Sequence, residues 1–381
     1  MFALTNSVII SLLTPILAKT NYWAVFAARY LMGFGEGFIM PSLLSMASHW
    51  FPANERASFA AIYTSGNQIG AMLTVPISSF LCSSEYFGWE SIFYFFGSVG
   101  LALIILWFIF VSDTPEKNKF ITNAEEKYLH ETIGQHHKKR SDATPWKSLL
   151  TSVPLFGAIF AQISFSFSIV LMQSFLPLFM KQVLQVSLKT NGLFSILPFL
   201  TQIISKNAIG NIGDILKKKN ILTNTQAVKI FQCSGNIGSG ICFLLLAFFI
   251  DCDTVPLALV VLGFYGVFIA CGIPGFFTAL LSIAPKYSGT IGSVALTIAA
   301  MTISVVPFFV AFFNKNGTPE EWRKLFLIPV GLHFSSAIVF GILGSAEIQE
   351  WAKSTNIPEK ENLQEMKEEE ADLFDKLSIA E

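Results

Sequence analysis

Charge is what this sequence has least of. Asp, Glu, Lys and Arg together make up 13% of its 381 residues, about half of the roughly 25% usual in a soluble domain. The deficit is also uneven: stretches 91–111, 151–180, 230–250, 254–285, 287–314 and 325–346 hold no Asp, Glu, Lys or Arg at all. Each exceeds the ~18 apolar residues that mark a membrane-crossing helix. With a mean hydropathy of +0.57, the chain reads as an all-α, polytopic helical membrane protein. Cysteine is scarce too. The five present (82, 233, 242, 252 and 271) show no metal-ligand spacing and read as small apolar core residues. The pairing that topology leaves conceivable is Cys82 with Cys252. No nucleophile–base or metal constellation stands out, which excludes a membrane enzyme. No repeated filter loop or ring of like charges supports a channel. A formal net charge of −1 gives no reason to expect a nucleic-acid partner. No basic segment precedes the first apolar run, so residues 1–18 read as a span rather than a cleaved signal peptide.

What is present is a series of ten apolar segments, at about 1–18, 23–48, 57–82, 89–111, 150–177, 190–213, 227–250, 255–280, 288–313 and 325–345. Lys and Arg concentrate in the breaks at 112–149 and 214–229, with Arg56 and Lys286 in two shorter ones. Ten spans place all four breaks on one side, and the positive-inside rule makes that side cytoplasmic, together with the C-terminus. The longest break divides the chain into an N-terminal part (1–111), a linker (112–149), a second helical part (150–345) and an acidic tail (346–381). His130, His136 and His137 lie among lysines in the linker and read as solvated. The tail, with Glu368-Glu369-Glu370, reads as a solvated end. The sequon Asn316-Gly317-Thr318 falls in the last non-cytoplasmic loop, close to the membrane and before Pro319, where occupancy is not expected.

Against this apolar background, Arg29 and Glu36 are conspicuous. They sit in one span whose residues 23–48 hold no other Asp, Glu, Lys or Arg. A formal charge at mid-bilayer costs from ~2.5 to more than ~10 kcal/mol, so it is rare away from a protein-lined cavity. Seven residues of separation put the two about two turns apart on one helix face. Arg29 can hold an anion through paired N–H donors. Glu36, with Gly33, Gly35 and Gly37 around it, is a candidate coupling carboxylate. The competing reading is a structural ion pair. A second candidate is Gly210-Asn-Ile-Gly-Asp214, followed by Lys217-Lys218-Lys219, at a cytoplasmic helix junction, where Asp214 could close a gate. Gly66 and Gly70 read as helix-packing positions. Lys206 is expected to snorkel to the interface, His49 to mark a span end, and His333 to be a packed polar residue.

These segments resemble the major facilitator superfamily. Gly210–Lys219 looks like its signature loop in the C-terminal copy, and Arg29-Tyr-Leu-Met-Gly-Phe-Gly-Glu36-Gly resembles the fourth span of its anion:cation symporter branch. That branch contains sialin, vesicular glutamate transporters and type I sodium–phosphate cotransporters. Supporting motifs are Gly88-Trp-Glu-Ser-Ile-Phe-Tyr, Pro145-Trp-Lys-Ser-Leu-Leu, Ala284-Pro-Lys-Tyr-Ser-Gly289 and Gly344-Ser-Ala-Glu-Ile-Gln-Glu-Trp351. The resemblance implies twelve spans in two six-helix halves, alternating access, and transport of a small organic anion or phosphate coupled to protons or sodium, with no other cofactor. Aligned on the Arg29 motif, residue 1 falls in the third span of the family. About ten of twelve spans are therefore expected here, as in a truncated gene model or a transport-incompetent paralogue acting as a receptor or scaffold.

Where vesicular glutamate transporters carry a span arginine, this chain has Phe165. Polar family positions fall on Phe277, Leu280 and Leu296, so the C-terminal wall of the cavity is expected to be more apolar than theirs. The resemblance leaves Tyr63, Asn67, Gln162 and Thr297 as polar candidates for substrate contact beside Arg29. It implies a monomer in a vesicular, lysosomal or plasma membrane.

Overall fold

The computed structural model describes residues 1–352 apart from 40–41, 44–45, 47–49, 51–55, 84–87, 113–114, 116–117, 119, 123–124, 126, 130–143 and 220; for 56–65, 67–68, 188, 214, 218 and 286 it describes the backbone alone. His49, the linker histidines, the acidic tail beyond Ala352 and the side chains of Tyr63, Asn67 and Asp214 thus lie outside the described residues.

Described elements are helical throughout. Besides the five-residue helix Trp146–Leu150 and three short π or 3-10 turns, they are, in chain order, α1 (Phe2–Thr20), α2 (Tyr22–Glu36), α3 (Arg56–Ser83), α4 (Glu90–Phe110), α5 (Val153–Gln182), α6 (Leu188–Phe194), α7 (Leu197–Lys218), α8 (Asn224–Phe248), α9 (Val255–Ala270), α10 (Thr278–Ser282), α11 (Ser288–Phe313) and α12 (Pro319–Leu343). Eight helical stretches among the described residues are long and apolar enough to cross a membrane. With α2 and α3, each of the ten expected spans has a helix beneath it. Three expected spans are broken: 23–48 leaves the helix at Gly37–Phe38, after α2 ends at Glu36. The segment 190–213 divides at Ser195–Ile196 into α6 and α7, and 255–280 is interrupted at Ile273–Phe277 by a π-turn in which Gly275 leaves helical geometry (φ −88°, ψ −111°).

Caps explain where several helices begin. Thr223 and Gln226 form a reciprocal capping box on α8, and Thr318 and Glu321 form another on α12. The second box starts α12 six residues before the expected apolar boundary at 325, because its first turns carry Glu320, Glu321, Arg323 and Lys324, charges suited to the interface. The sequon is consumed by this cap. The Glu321 carboxylate accepts from the Asn316 backbone N–H (2.8 Å), its side-chain amide (3.0 Å) and the Gly317 N–H (2.9 Å).

Behind residue 150 the helices bury a large aromatic core. Phe179 packs on Trp322 and Phe326 at centroid distances of 5.3 and 4.9 Å, and Phe243 packs on Tyr265 at 5.3 Å. Close approach depends on glycine where α7 meets α9: a methyl group at Gly266 would collide with Thr201 Oγ1 and the Pro198 carbonyl. The earlier helices pack around α1. Gly97 and Gly100 of α4 receive Leu12 and Val8, Asn6 Nδ2 donates to the Leu31 carbonyl of α2 (2.7 Å), and Lys19 pairs with Glu90 at 2.9 Å. Gly66 and Gly70 do not serve the packing role expected of them among the described residues, since no described atom lies within 4 Å of a methyl built at either. The cysteines are free, Cys82 and Cys252 included, so that conceivable disulfide is not formed.

Two outcomes follow. Gly266→Ala should destabilise the fold by about 1–3 kcal/mol of overpacking, read as a lower thermal unfolding midpoint in detergent, whereas Gly331→Ala, with open space around it, should not. After expression in a glycosylating host, Asn316→Gln should migrate with the parent protein on gels before and after glycosidase, because the Asn316 amide is held by Glu321.

Candidate functional site

Arg29 and Glu36 both lie on α2, whose unbroken helix sets them on one face about 10 Å apart along the axis. Both side chains are exposed. They do not pair with each other, since Lys19–Glu90 is the ion pair found among the described residues. The structural ion-pair reading therefore fails for them. Arg29 instead rests its guanidinium over the Phe93 ring of α4, 5.6 Å from the centroid, with Nη1 donating to Met32 Sδ at 3.5 Å. A guanidinium stacked on an aromatic face keeps its charge and most of its donors. Asn21 caps α2 by accepting from the Trp23 N–H (2.9 Å), and Asn6 of α1 fits against Gly35 on the turn that carries Glu36.

The remaining candidates are dispersed. Gln162 is half-buried on α5 and donates to Ser166 Oγ at 2.9 Å. Thr297 is exposed on α11 and donates to the Ser293 carbonyl of its own helix at 2.8 Å. No hydrogen bond or ion pair among the described residues joins either to Arg29 or Glu36. Tyr63 and Asn67 belong to α3 and Asp214 to α7 by backbone alone. Just before Asp214, Gly213 receives the Phe231 ring of α8. A cavity of about 260 Å³ lies there, lined by Gly210, Gly213 and Lys217 on α7 and by Ile273, Pro274 and Thr278 at the helix break.

A second polar constellation was not assembled by sequence reasoning. At the break in the eighth expected span, the Phe276 N–H is left without a helical acceptor and donates to Gln232 Oε1 of α8 (2.9 Å). That backbone donor has one direction, so it fixes the side-chain amides beyond it. Gln232 Nε2 then donates to Asn236 Oδ1 (3.1 Å), and Asn236 Nδ2 donates to Ser336 Oγ of α12 (2.9 Å). Asn236 Oδ1, now an acceptor, faces His333 Nδ1 at 3.3 Å, so Nδ1 carries a proton, which Ser164 Oγ also approaches at 3.0 Å. Ser168 Oγ completes the imidazole at Nε2 (2.8 Å). His333 is 1% exposed. It is the packed polar residue the sequence suggested, but it also ties α5, α8, α12 and the helix break into one unit.

The apolar substitutions sort differently from expectation. Phe165 packs on Phe276 with its ring tilted by 56° at a centroid distance of 5.2 Å, beside Gly272, and so covers the helix break. Leu280 is fully buried in the core with Leu149, Ile283 and Ala284. It lines no open wall, a correction to its expected place. Phe277 and Leu296 are exposed.

Membrane-length helices interrupted within the span, with polar side chains recapturing the freed backbone, are the architecture of secondary transporters. Comparison with known proteins gives the same class. The Major Facilitator Superfamily profile matches residues 1–307. The chain is 31% identical to human sialin over 351 residues, covering 92% of this chain and 70% of that protein. It is 32% identical to zebrafish (Danio rerio) vesicular glutamate transporter 2.2 over 349 residues, covering 90% of this chain and 58% of that one. The crystal structure of a D-xylose–proton symporter superposes with a TM-score of 0.67 at 16% identity, covering 91% of this chain and 80% of that one, a likeness of fold alone. The chain belongs to the Major Facilitator Superfamily. It is a multi-pass integral membrane transporter and not an enzyme.

Asn236→Leu should unfold at lower temperature than the parent. It leaves His333 Nδ1, Gln232 and Ser336 short of partners, at ~1–3 kcal/mol for each group stranded. Thr297→Ala, which removes an exposed hydroxyl bonded only to its own helix, should change the midpoint little; equal shifts for both would show that the network does not hold the fold.

Proposed function

We propose that this transporter moves a small organic anion or phosphate by alternating access, with Arg29 holding the anion and Glu36 as the coupling carboxylate for protons or sodium. The observation that carries this reading is the placement of both charges on one face of α2, exposed and unpaired with each other, in a span with no other formal charge among residues 23–48. An ion pair would have cancelled them. Separated, the guanidinium is available to a carboxylate or phosphate, and the carboxyl can load and release a cation as its surroundings alternate. Likeness to a protein named for glutamate transport supports an anionic solute. Phe165, in the place of a span arginine, argues for an anion less polar than glutamate.

In this reading Gln162 and Thr297, with Tyr63 and Asn67, supply polar contacts to the solute, and Asp214 closes the cytoplasmic gate beside the 260 Å³ cavity. The 1–111 part rocks against the 150–345 part, with 112–149 as the cytoplasmic linker and 346–381 as the tail. The chain resides in a vesicular, lysosomal or plasma membrane with its C-terminus in the cytoplasm.

Radiolabelled-anion flux into proteoliposomes tests the assignment. Glu36→Gln should abolish uptake driven by an ion gradient while leaving counterflow exchange largely intact. Arg29→Gln should abolish both, and Arg29→Lys should retain part of the exchange. Undiminished coupled uptake by Glu36→Gln removes the coupling role, and no flux in any protein would favour a receptor or scaffold.

A further inference from the structure

We propose that the cleft between the ends of α8 and α12, on the side of the 251–254 turn, seats one phosphatidylethanolamine molecule from the surrounding bilayer. A cavity of about 340 Å³ opens there, lined by Arg323 and Asp251 together with Phe248, Phe249 and Trp322. Arg323 is preset: its Nε donates to the Ala247 carbonyl at 3.1 Å and its Cζ stands 5.3 Å from the Phe248 centroid. Those contacts orient the terminal nitrogens without engaging them. Asp251 is preset as well. Its Oδ1 accepts from the Asp253 N–H (3.1 Å) and the Thr254 hydroxyl (3.0 Å). Although they line one cavity, the two charges are not paired, since the ion pair among the described residues is Lys19–Glu90.

A fixed cation and a fixed anion that line one small cavity without pairing match a dipolar ligand. The guanidinium suits a phosphate, which it can grip with two parallel N–H donors. The carboxylate suits a primary ammonium, which brings N–H donors that a quaternary choline lacks. An anionic headgroup without an amine would meet repulsion from Asp251.

The occupant is a lipid because of what adjoins the cleft. Ile230, Ile237, Ile241 and Phe248 of α8 are 50%, 44%, 47% and 50% exposed. At 100° per residue they fall within about 40° of one another, a single apolar stripe along the helix. From Phe248, which lies under Arg323, the stripe reaches Ile237 in about 16 Å. That is close to the half-thickness of a ~30 Å hydrocarbon core. A headgroup in the cleft thus places its acyl chains along the stripe within one leaflet.

Native mass spectrometry of the whole chain in detergent, offered equimolar phosphatidylethanolamine, phosphatidylcholine and phosphatidylglycerol, tests this without reference to transport. The expected result is one retained phosphatidylethanolamine, preferred over both others. Arg323→Gln should reduce its retention about tenfold. Asp251→Asn should abolish the preference over phosphatidylcholine and raise phosphatidylglycerol binding. Equal retention of the three lipids by the parent protein overturns the proposal, whatever the variants do. So does unchanged retention in both variants. Displacement of the lipid by free glycerophosphoethanolamine at equal concentration would also overturn it, by showing that the cleft takes a soluble solute.

Discussion

The interior of this protein rests on one hydrogen bond, from the Phe276 N–H to Gln232 Oε1 at 2.9 Å. A break in a membrane helix frees backbone groups where no water can reach them, and each would cost several kcal/mol if left alone. Capturing that N–H orients Gln232, which orients Asn236, which in turn sets the protonated nitrogen of His333 and the partners of Ser164, Ser168 and Ser336. Four helical segments are thereby fixed relative to one another by groups that apolar packing could not have specified. The aromatic core around Phe179, Phe243 and Trp322 supplies the bulk of the buried surface, while the polar chain sets its register.

The two helical parts treat polar groups in opposite ways. Behind residue 150, Gln232, Asn236, His333, Ser164, Ser168 and Ser336 satisfy one another in a buried network that binds the helix break. In α2 the charged side chains are left exposed, with Arg29 resting on Phe93 and Glu36 at the end of the helix. A carrier needs both: a rigid unit to move, and ionisable groups that water and solute can reach. One small cavity is lined by Gly210 and Gly213 of α7 and by Pro274 at the helix break, so the end of α7 and the kink share a wall.

Much of the fold was legible in the sequence, for a plain reason. The membrane imposes helices on every long apolar run, so run length and charge position reveal the spans without any knowledge of packing. Arg29 and Glu36 stood out by the same logic, being formal charges where charge is costly. The helix break at 272–277 was harder to see. Gly272, Pro274 and Gly275 lie in an unbroken apolar run whose hydropathy does not change at the kink. The start of α12 at Pro319 was missed because Thr318 and Glu321 act through a reciprocal cap rather than through hydropathy. Leu280 was misplaced because a family position says which residue is substituted, not whether the local helix turns it inward.

By itself the sequence determined the membrane class, the order of the helical spans, and the two charges that stand alone in an apolar run, since each follows from the cost of moving polar groups into hydrocarbon. The tertiary structure decided which polar residues meet. Ser164 and His333 are 169 positions apart yet 3.0 Å from contact atom to contact atom. Arg29 and Glu36, seven positions apart, remain unpaired. Separation along the chain limits what neighbouring turns can touch, but only the packing of one helix on another selects the partners that distant side chains find.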